Sequence, residues 1–178
     1  MEYDKTFFEA GDINEHLPIL YLLSLQSSII VELGTGKGTV SRVILSAKPS
    51  KLVTCDHGKS TEIKDTVEDL KSIANNNSVE FEYHSVDSRT LDFGEADLLI
   101  IDTYGSYEQL YSELTIHAAD VKKYIAIHDT EVYGNTDERG EKPGLKKAIR
   151  DFLVTDPSWK IEYEYTHNNG LTILRRIQ

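Results

Sequence analysis

The chain has 178 residues, of which 39% are hydrophobic and 28% charged, and its formal net charge is −11 at neutral pH. The apolar residues fall in short separated runs, so the chain reads as one soluble globular domain over residues 1–178 rather than a disordered segment. The acidic balance argues against a nucleic-acid partner, because the basic pairs Lys122-Lys123, Lys146-Lys147 and Arg175-Arg176 are short and dispersed. The apolar stretches fall far short of the roughly 20 residues that span a bilayer. The start, Met1 to Thr6, is polar and lacks the pattern of a secretory signal, so a cytoplasmic setting is expected. Cys55 is the sole cysteine, which excludes an intrachain disulfide and a Cys-rich zinc site. At the end of an apolar strand it is expected to be a small buried residue.

In chain order, Asn14 to Gln26 reads as a helix with Pro18 in its first turns. Ser28 to Leu33 is a buried strand that runs into a glycine turn, and a helix follows from Thr39 to Ala47. Lys51 to Asp56 is a second strand. Thr61 to Asn75 carries Ile63, Val67, Leu70 and Ile73 at helical spacing, and Val79 to Ser85 alternates like a third strand. Ala96 to Asp102 gives the clearest buried strand, Tyr107 to Ala119 a helix, and Lys123 to Asp129 a fifth strand. Glu131 to Pro143 is a long polar loop of the kind that serves as a lid, with Asp137, Glu138, Arg139, Glu141 and Lys142 expected in solvent. Gly144 to Leu153 reads as a helix, and two strands, Trp159 to Thr166 and Leu171 to Ile177, flank a turn at His167 to Gly170. Strands alternating with helices predict an α/β fold with a mostly parallel seven-stranded sheet, helices on both faces, and an antiparallel strand from the C-terminal hairpin.

The glycine turn, Val31-Glu-Leu-Gly-Thr-Gly-Lys-Gly38, lies directly between a strand and a helix. Such glycines let backbone approach a nucleotide-sized ligand. A dinucleotide fingerprint would place its third glycine at Thr39, and a phosphate loop would place Ser or Thr at Gly38, so both fit poorly. Glu32, inside an apolar strand, requires a partner, and a cationic ligand would be one. Asp56, ending the second strand, could accept both hydroxyls of a ribose, and Asp87, after the third, could reach an adenine edge. All three stand at the sheet edge where open α/β folds bind ligands, although strand-end carboxylates beside a steric glycine turn would look the same.

From about Ile29 to Ile177 these residues resemble the class I S-adenosylmethionine-dependent methyltransferases. The resemblance implies a Rossmann-like three-layer αβα sandwich. Glu32, Gly34, Thr35 and Gly36 then look like the turn that holds the amino-acid end of the cofactor, Asp56 with neighbouring His57 like its ribose side, and Asp87 like its adenine contact. Ile100-Ile-Asp-Thr-Tyr-Gly-Ser-Tyr and Ile127-His-Asp-Thr resemble the cephalosporin-hydroxylase-like and sugar or macrolide O-methyltransferase group. In that group the corresponding residues, Asp102, His128 and Asp129, hold a divalent ion such as Mg²⁺ or Ca²⁺ and border the reacting atoms. Relatives usually carry a His where this chain has Gly105, so His128, Asp102 or Asp129 would have to act as the base.

The implied reaction is methyl transfer to a hydroxyl of a small acceptor, in which the protein aligns the partners and removes a proton. Hard oxygen ligands from Asp102 and Asp129 suit Mg²⁺ or Ca²⁺, whereas the imidazole of His128 better suits a transition metal, and His128 could equally cap a strand end. Tyr104, Tyr107, Tyr111 and Tyr133 are acceptor-pocket or helix-core residues. An enzyme that cleaves S-adenosylmethionine without an acceptor, and a non-catalytic nucleotide-binding module, are the alternative readings. A homo-oligomer is compatible with either, and the acceptor itself has no motif.

Overall fold

A computed structural model describes residues 11–58 and 61–177; the polar start at Met1 to Thr6 lies outside them. Seven strands form one sheet: β1 (Ile29–Leu33), β2 (Lys51–Cys55), β3 (Glu80–His84), β4 (Ala96–Ile101), β5 (Val121–His128), β6 (Trp159–Tyr165) and β7 (Leu171–Arg176). Their order is β3-β2-β1-β4-β5-β7-β6. The first five strands pair in parallel, and β7 inserts between β5 and β6, antiparallel to both. This is the mostly parallel sheet with a closing hairpin that the alternation of elements predicts.

The central strands are apolar throughout because both of their faces are covered. Ile30, Leu52, Leu98 and Ile100 face one layer, packing with Leu17 and Leu20 of α1 (Leu17–Ser24), Ile44 of α2 (Thr39–Ser46) and Leu70 of α3 (Thr61–Asn77). Val31, Leu33, Leu99 and Ile101 face the other, packing with Leu114 of α4 (Tyr107–His117) and Phe152 of α5 (Leu145–Thr155). Three layers result.

Element ends differ from the sequence reading by one to three residues, for local reasons. The first turn of the opening helix, Asn14–His16, is 3₁₀, and α1 stops at Ser24, where the hydroxyls of Ser24 and Ser27 turn back onto the carbonyls of Leu20 and Leu23. β5 ends at His128 because Asp129 takes a left-handed φ of 61°, which extended backbone does not allow. Asp56 and Asp102 lie just past their strands, yet each still donates one backbone bond to a neighbour, to the carbonyls of His84 and Leu33. The carboxylates therefore sit at the rim of the sheet and not within it.

Leu98 of β4 is fully buried at the centre of the layer that carries α1 to α3. Leu98→Ala is expected to cost about 2–5 kcal/mol in urea unfolding, with little change in the denaturant slope.

Candidate active site

At the carboxyl ends of the strands, where the chain order reverses between β1 and β4, lies a cavity of about 520 Å³. Ligands of open α/β sheets bind at this switch point. Its walls include Gly34, Asp56, His57, Asp87, Ser88, Arg89, Asp102, Tyr104, Gln109 and Glu138 in a single continuous space.

The glycine turn is shaped by contact with β4. A Cβ on Gly34 would stand 1.9 Å from the carbonyl oxygen of Asp102, and Gly34 itself has φ +96°. No side chain fits there. The turn then delivers the Gly36 N–H to Asp56 Oδ2 at 3.0 Å, and Gly58 N–H reaches the other oxygen at 2.7 Å. Asp56 is thus held rigidly at the cavity wall, and the exposed His57 ring beside it lines the same wall.

Glu32, Thr35 and Gly36 are not among the cavity's lining residues. Glu32 is 1% exposed, and its Oε2 accepts from Ser41 of α2 and, at 2.8 Å, from Thr54 of β2. Thr35 is buried on Thr54 Oγ1 at 2.7 Å, extending the chain to Glu32. The partner that a carboxylate in an apolar strand requires is therefore a pair of hydroxyls, and the cationic ligand expected for Glu32 is not needed to explain its place. Burial pushes the Glu32 carboxyl up to about 8, against the pull of the Ser41 and Thr54 hydrogen bonds.

Asp87 lines the cavity but is engaged by its neighbour: Arg89 reaches it through its backbone N–H, Nε and Nη2, at 2.9, 3.0 and 2.5 Å. The hydrogen bonds from Arg89 hold the Asp87 carboxyl down at about 2. Cys55 is buried, and burial raises its thiol to about 12, which removes it as a nucleophile.

Asp102, His128 and Asp129 come together as a cluster whose ligating atoms lie within 4.8 Å of one another. His128 Nδ1 is 3.1 Å from Asp102 Oδ1 and 3.4 Å from Asp129 Oδ1, while its Nε2 donates to the carbonyl of Asp12 at 3.0 Å. Burial alone would lower the imidazole, but the hydrogen bond and charge of Asp102 and the charge of Asp129 outweigh it and raise His128 to about 9. At neutral pH the ring is an imidazolium, so it is poorly suited to be the base. Asn169 Nδ2 donates to Asp129 Oδ1 at 3.0 Å, tying the hairpin turn to the cluster.

The 131–143 loop is folded onto the site and only partly in solvent. Asp137, expected to be solvated, is 6% exposed because its Oδ1 accepts the N–H groups of Arg139 and Glu141. Glu138 lines the cavity and is joined to Gly105 twice, through its own N–H to the Gly105 carbonyl and through its Oε1 from the Gly105 N–H. A Cβ on Gly105 would lie 2.5 Å from the ring of Tyr133. The volume that a larger residue at 105 would use is filled from the lid. Of the other tyrosines, Tyr104 lines the cavity, whereas Tyr107 and Tyr111 stack on each other and Tyr107 bonds Asp151 of α5.

Sequence reasoning missed Gln109 and Glu113, and it placed Glu138, which lines the cavity, in solvent. Glu113 carried a signal, because it interrupts the apolar stripe Leu110, Leu114 of α4 with a carboxylate, and it is fully buried. Glu138, a charge in a polar loop, carried none.

No family model matches this chain, and no curated protein matches it in sequence. Solved structures do match. The O-methyltransferase TomG from Streptomyces achromogenes, involved in tomaymycin synthesis and solved with SAM, superposes at a TM-score of 0.67 over 99% of this chain and 87% of its own, at 17% identity. The fold is shared. The SAH-bound methyltransferase PaMTH1 from Podospora anserina matches at 0.66 over 98% and 86%, at 16% identity. Magnesium protoporphyrin IX methyltransferase from Synechocystis, with bound SAH, matches at 0.66 over 98% and 91%, at 14% identity. At these identities the likeness establishes a shared Rossmann-like fold, and the residues must argue the chemistry.

The buried Glu32 makes a testable difference to stability. Its folded value of about 8 stands above its ordinary 4.5, so between those pH values the folded chain keeps a proton that the unfolded chain has released. This contribution is fully present below about 4.5 and is lost as pH rises through 8. In Glu32→Gln the decline of unfolding free energy from pH 5 to 9 is expected to be shallower by on the order of 4 kcal/mol. Parallel pH profiles for the two proteins would assign the decline elsewhere.

Proposed function

We propose that this chain is an S-adenosylmethionine-dependent methyltransferase that methylates a hydroxyl of a small-molecule acceptor. The observation that carries this reading is the continuity of the cavity, which joins Asp56 and the base-side residues Asp87 and Gln109 to Asp102 at the carboxylate–histidine cluster. A nucleoside with a reactive arm fits such a space, its ribose at Asp56 and its arm reaching toward Asp102. TomG, PaMTH1 and the protoporphyrin enzyme, each crystallised with SAM or SAH, share the fold.

In this reading Asp56, already fixed by two backbone N–H groups, takes the ribose hydroxyls on its remaining lone pairs. Asp102 faces the cavity and is the group placed to accept the proton of the acceptor hydroxyl. His128, held charged between Asp102 and Asp129, fixes the orientation of both. Tyr104 offers an aromatic face and Glu138 a carboxylate to the acceptor. The acidic surface fits a small acceptor in solution better than nucleic acid or a charged membrane. Among the described residues no helix is long and apolar enough to cross a membrane.

The cluster also fits a divalent cation. Because His128 Nε2 is committed to the Asp12 carbonyl as a donor, a neutral ring would turn the Nδ1 lone pair toward two carboxylates. Either a proton or a cation must lie between them. Asp102, His128 and Asp129 would be its protein ligands, a mixed oxygen and nitrogen set that Mn²⁺ or Zn²⁺ satisfies as readily as Mg²⁺. Such an ion lowers the pKa of a bound hydroxyl.

Calorimetric titration with S-adenosylmethionine, S-adenosylhomocysteine and NAD, with and without divalent ions, tests the proposal. Micromolar binding of the adenosyl ligands without NAD binding is expected, weakened at least about tenfold in Asp56→Ala. Asp102→Asn is expected to bind the cofactor and lose turnover. A protein that binds neither adenosyl ligand would end this reading.

A further inference from the structure

The turn between β6 and β7 carries more backbone strain than joining two strands requires. Asn168, Asn169 and Gly170 stand in succession at left-handed φ values of 46°, 65° and 93°. The commonest tight hairpin turn needs positive φ at no more than two positions. Asn visits this region because its short polar side chain can bond locally, and such strain persists where the surroundings fix it.

The surroundings here are three separate parts of the fold. Asn168 Nδ2 donates to the Gly11 carbonyl at 3.0 Å and its Oδ1 accepts from the Glu15 N–H at 3.1 Å, so this side chain holds the entering chain. Gly170 lies against the start of the lid, where a Cβ would stand 2.4 Å from the Glu131 nitrogen. Asn169 serves two parts at once. Its carbonyl accepts the N–H groups of Glu131 and Val132 at 2.8 and 3.0 Å, and its Nδ2 donates to Asp129 Oδ1 at 3.0 Å.

For Asp129 that last bond decides where the carboxylate points. It is the one side-chain hydrogen bond that Asp129 makes among the described residues, because His128 Nδ1 comes only to 3.4 Å of the same oxygen and is hydrogen-bonded to Asp102. The backbone of Asp129 has already left the strand, at a φ of 61°. Asp102 and His128 are therefore placed by β4 and β5, whereas the third group of the cluster is oriented by a turn 40 residues further along the chain.

We propose that Asn169 is a positioning residue for a cation held by Asp102, His128 and Asp129: its amide keeps the Asp129 carboxylate on the cluster, and its carbonyl keeps the lid against the same point. The inference rests on the cation reading of the cluster. Groups that orient a metal ligand in this way change the affinity for the ion by about 10–100-fold when they are removed. Asn suits both tasks, since Asp would keep the backbone and offer no donor, and Gly would keep the carbonyl and lose the amide.

The probe is Mn²⁺ alone, titrated into the full chain and followed by the electron paramagnetic resonance of the free ion. Asn169→Gly is expected to weaken binding at least about tenfold. Glycine takes left-handed φ without strain and retains the carbonyl, so hydrogen exchange at the amides of Glu131 and Val132 is expected to match that of the parent protein. Weakened binding with unchanged exchange is the pattern of a positioning role, because loss of the turn itself would move both. A smaller loss of Mn²⁺ affinity would overturn the role of Asn169 and leave the cation reading standing. Faster exchange at the two amides alongside lost binding would make Asn169 a general support of the turn, and that also overturns its role. A parent protein that binds no Mn²⁺ would overturn both the inference and the cation reading beneath it.

Discussion

The contact of Gly34 with the Asp102 carbonyl is the constraint on which the rest of the site depends. β1 and β4 are hydrogen-bonded neighbours whose onward paths separate at the switch point. Gly34, lacking a Cβ, lets the turn after β1 lie against the chain leaving β4. That approach places Gly36 where its N–H meets Asp56, and it starts the segment that carries Asp102, Thr103 and Tyr104 around the far wall. With a side chain at 34, turn and wall would have to part, and the cavity would lose the fixed distance between its two ends. Backbone packing comes first here, and the acidic residues take their places from it.

Around that frame stand three buried ionisable groups, Glu32, Glu113 and His128, among others, and each is accommodated by its own partners. Glu32 is met by two hydroxyls and its carboxyl rises toward neutrality. Glu113 also rises on burial, opposed by hydrogen bonds from Ser88, Gln109 and Thr103. His128 is carried the other way, into the charged form, by Asp102 and Asp129. Isolated charges would be too costly in such positions. Glu32 secures the glycine turn to α2 and β2, Glu113 secures the wall to α4, and His128 secures the ends of β4 and β5 to the entering chain at Asp12. Each sits where two or more elements must keep register at the rim of the sheet.

Most of the fold was legible in the sequence because it rests on periodicity. The apolar runs of β1, β2 and β4, the helical spacing of α3, and the turn before β7 are local signals that tertiary packing reinforces. The strand-end carboxylates were legible for the same reason, since a strand boundary and a charge coincide at Asp56 and Asp102. What was not legible was direction across the sheet. Glu32 and Asp56 both stand near the glycine turn, yet one points under α2 and the other into the cavity, and that difference depends on which face a residue takes at the last turn of a strand. A one-residue difference in phase decides it. The lid was illegible for a further reason: Asp137 reads as a solvated charge, and only the local turn that it caps makes it buried.

The lid also accounts for the departure at Gly105. Read alone, a glycine in place of a histidine looks like the loss of a base and a weakened site. The structure gives the position a different content, because the ring of Tyr133 occupies the space beside Gly105 and Glu138 closes on its backbone from both sides. A side chain at 105 would displace the Tyr133 ring, and with it the Tyr133 backbone that bonds Asp129 and Leu145. Gly105, Tyr133 and Glu138 are therefore one solution and not three independent residues. The loop after β5 thus fills the space beside Gly105 with the Tyr133 ring and brings the Glu138 carboxylate to the cavity wall. If the cavity takes a methyl acceptor, as proposed, that acceptor has to match the ring of Tyr104 and the carboxylate of Glu138 rather than an imidazole at position 105.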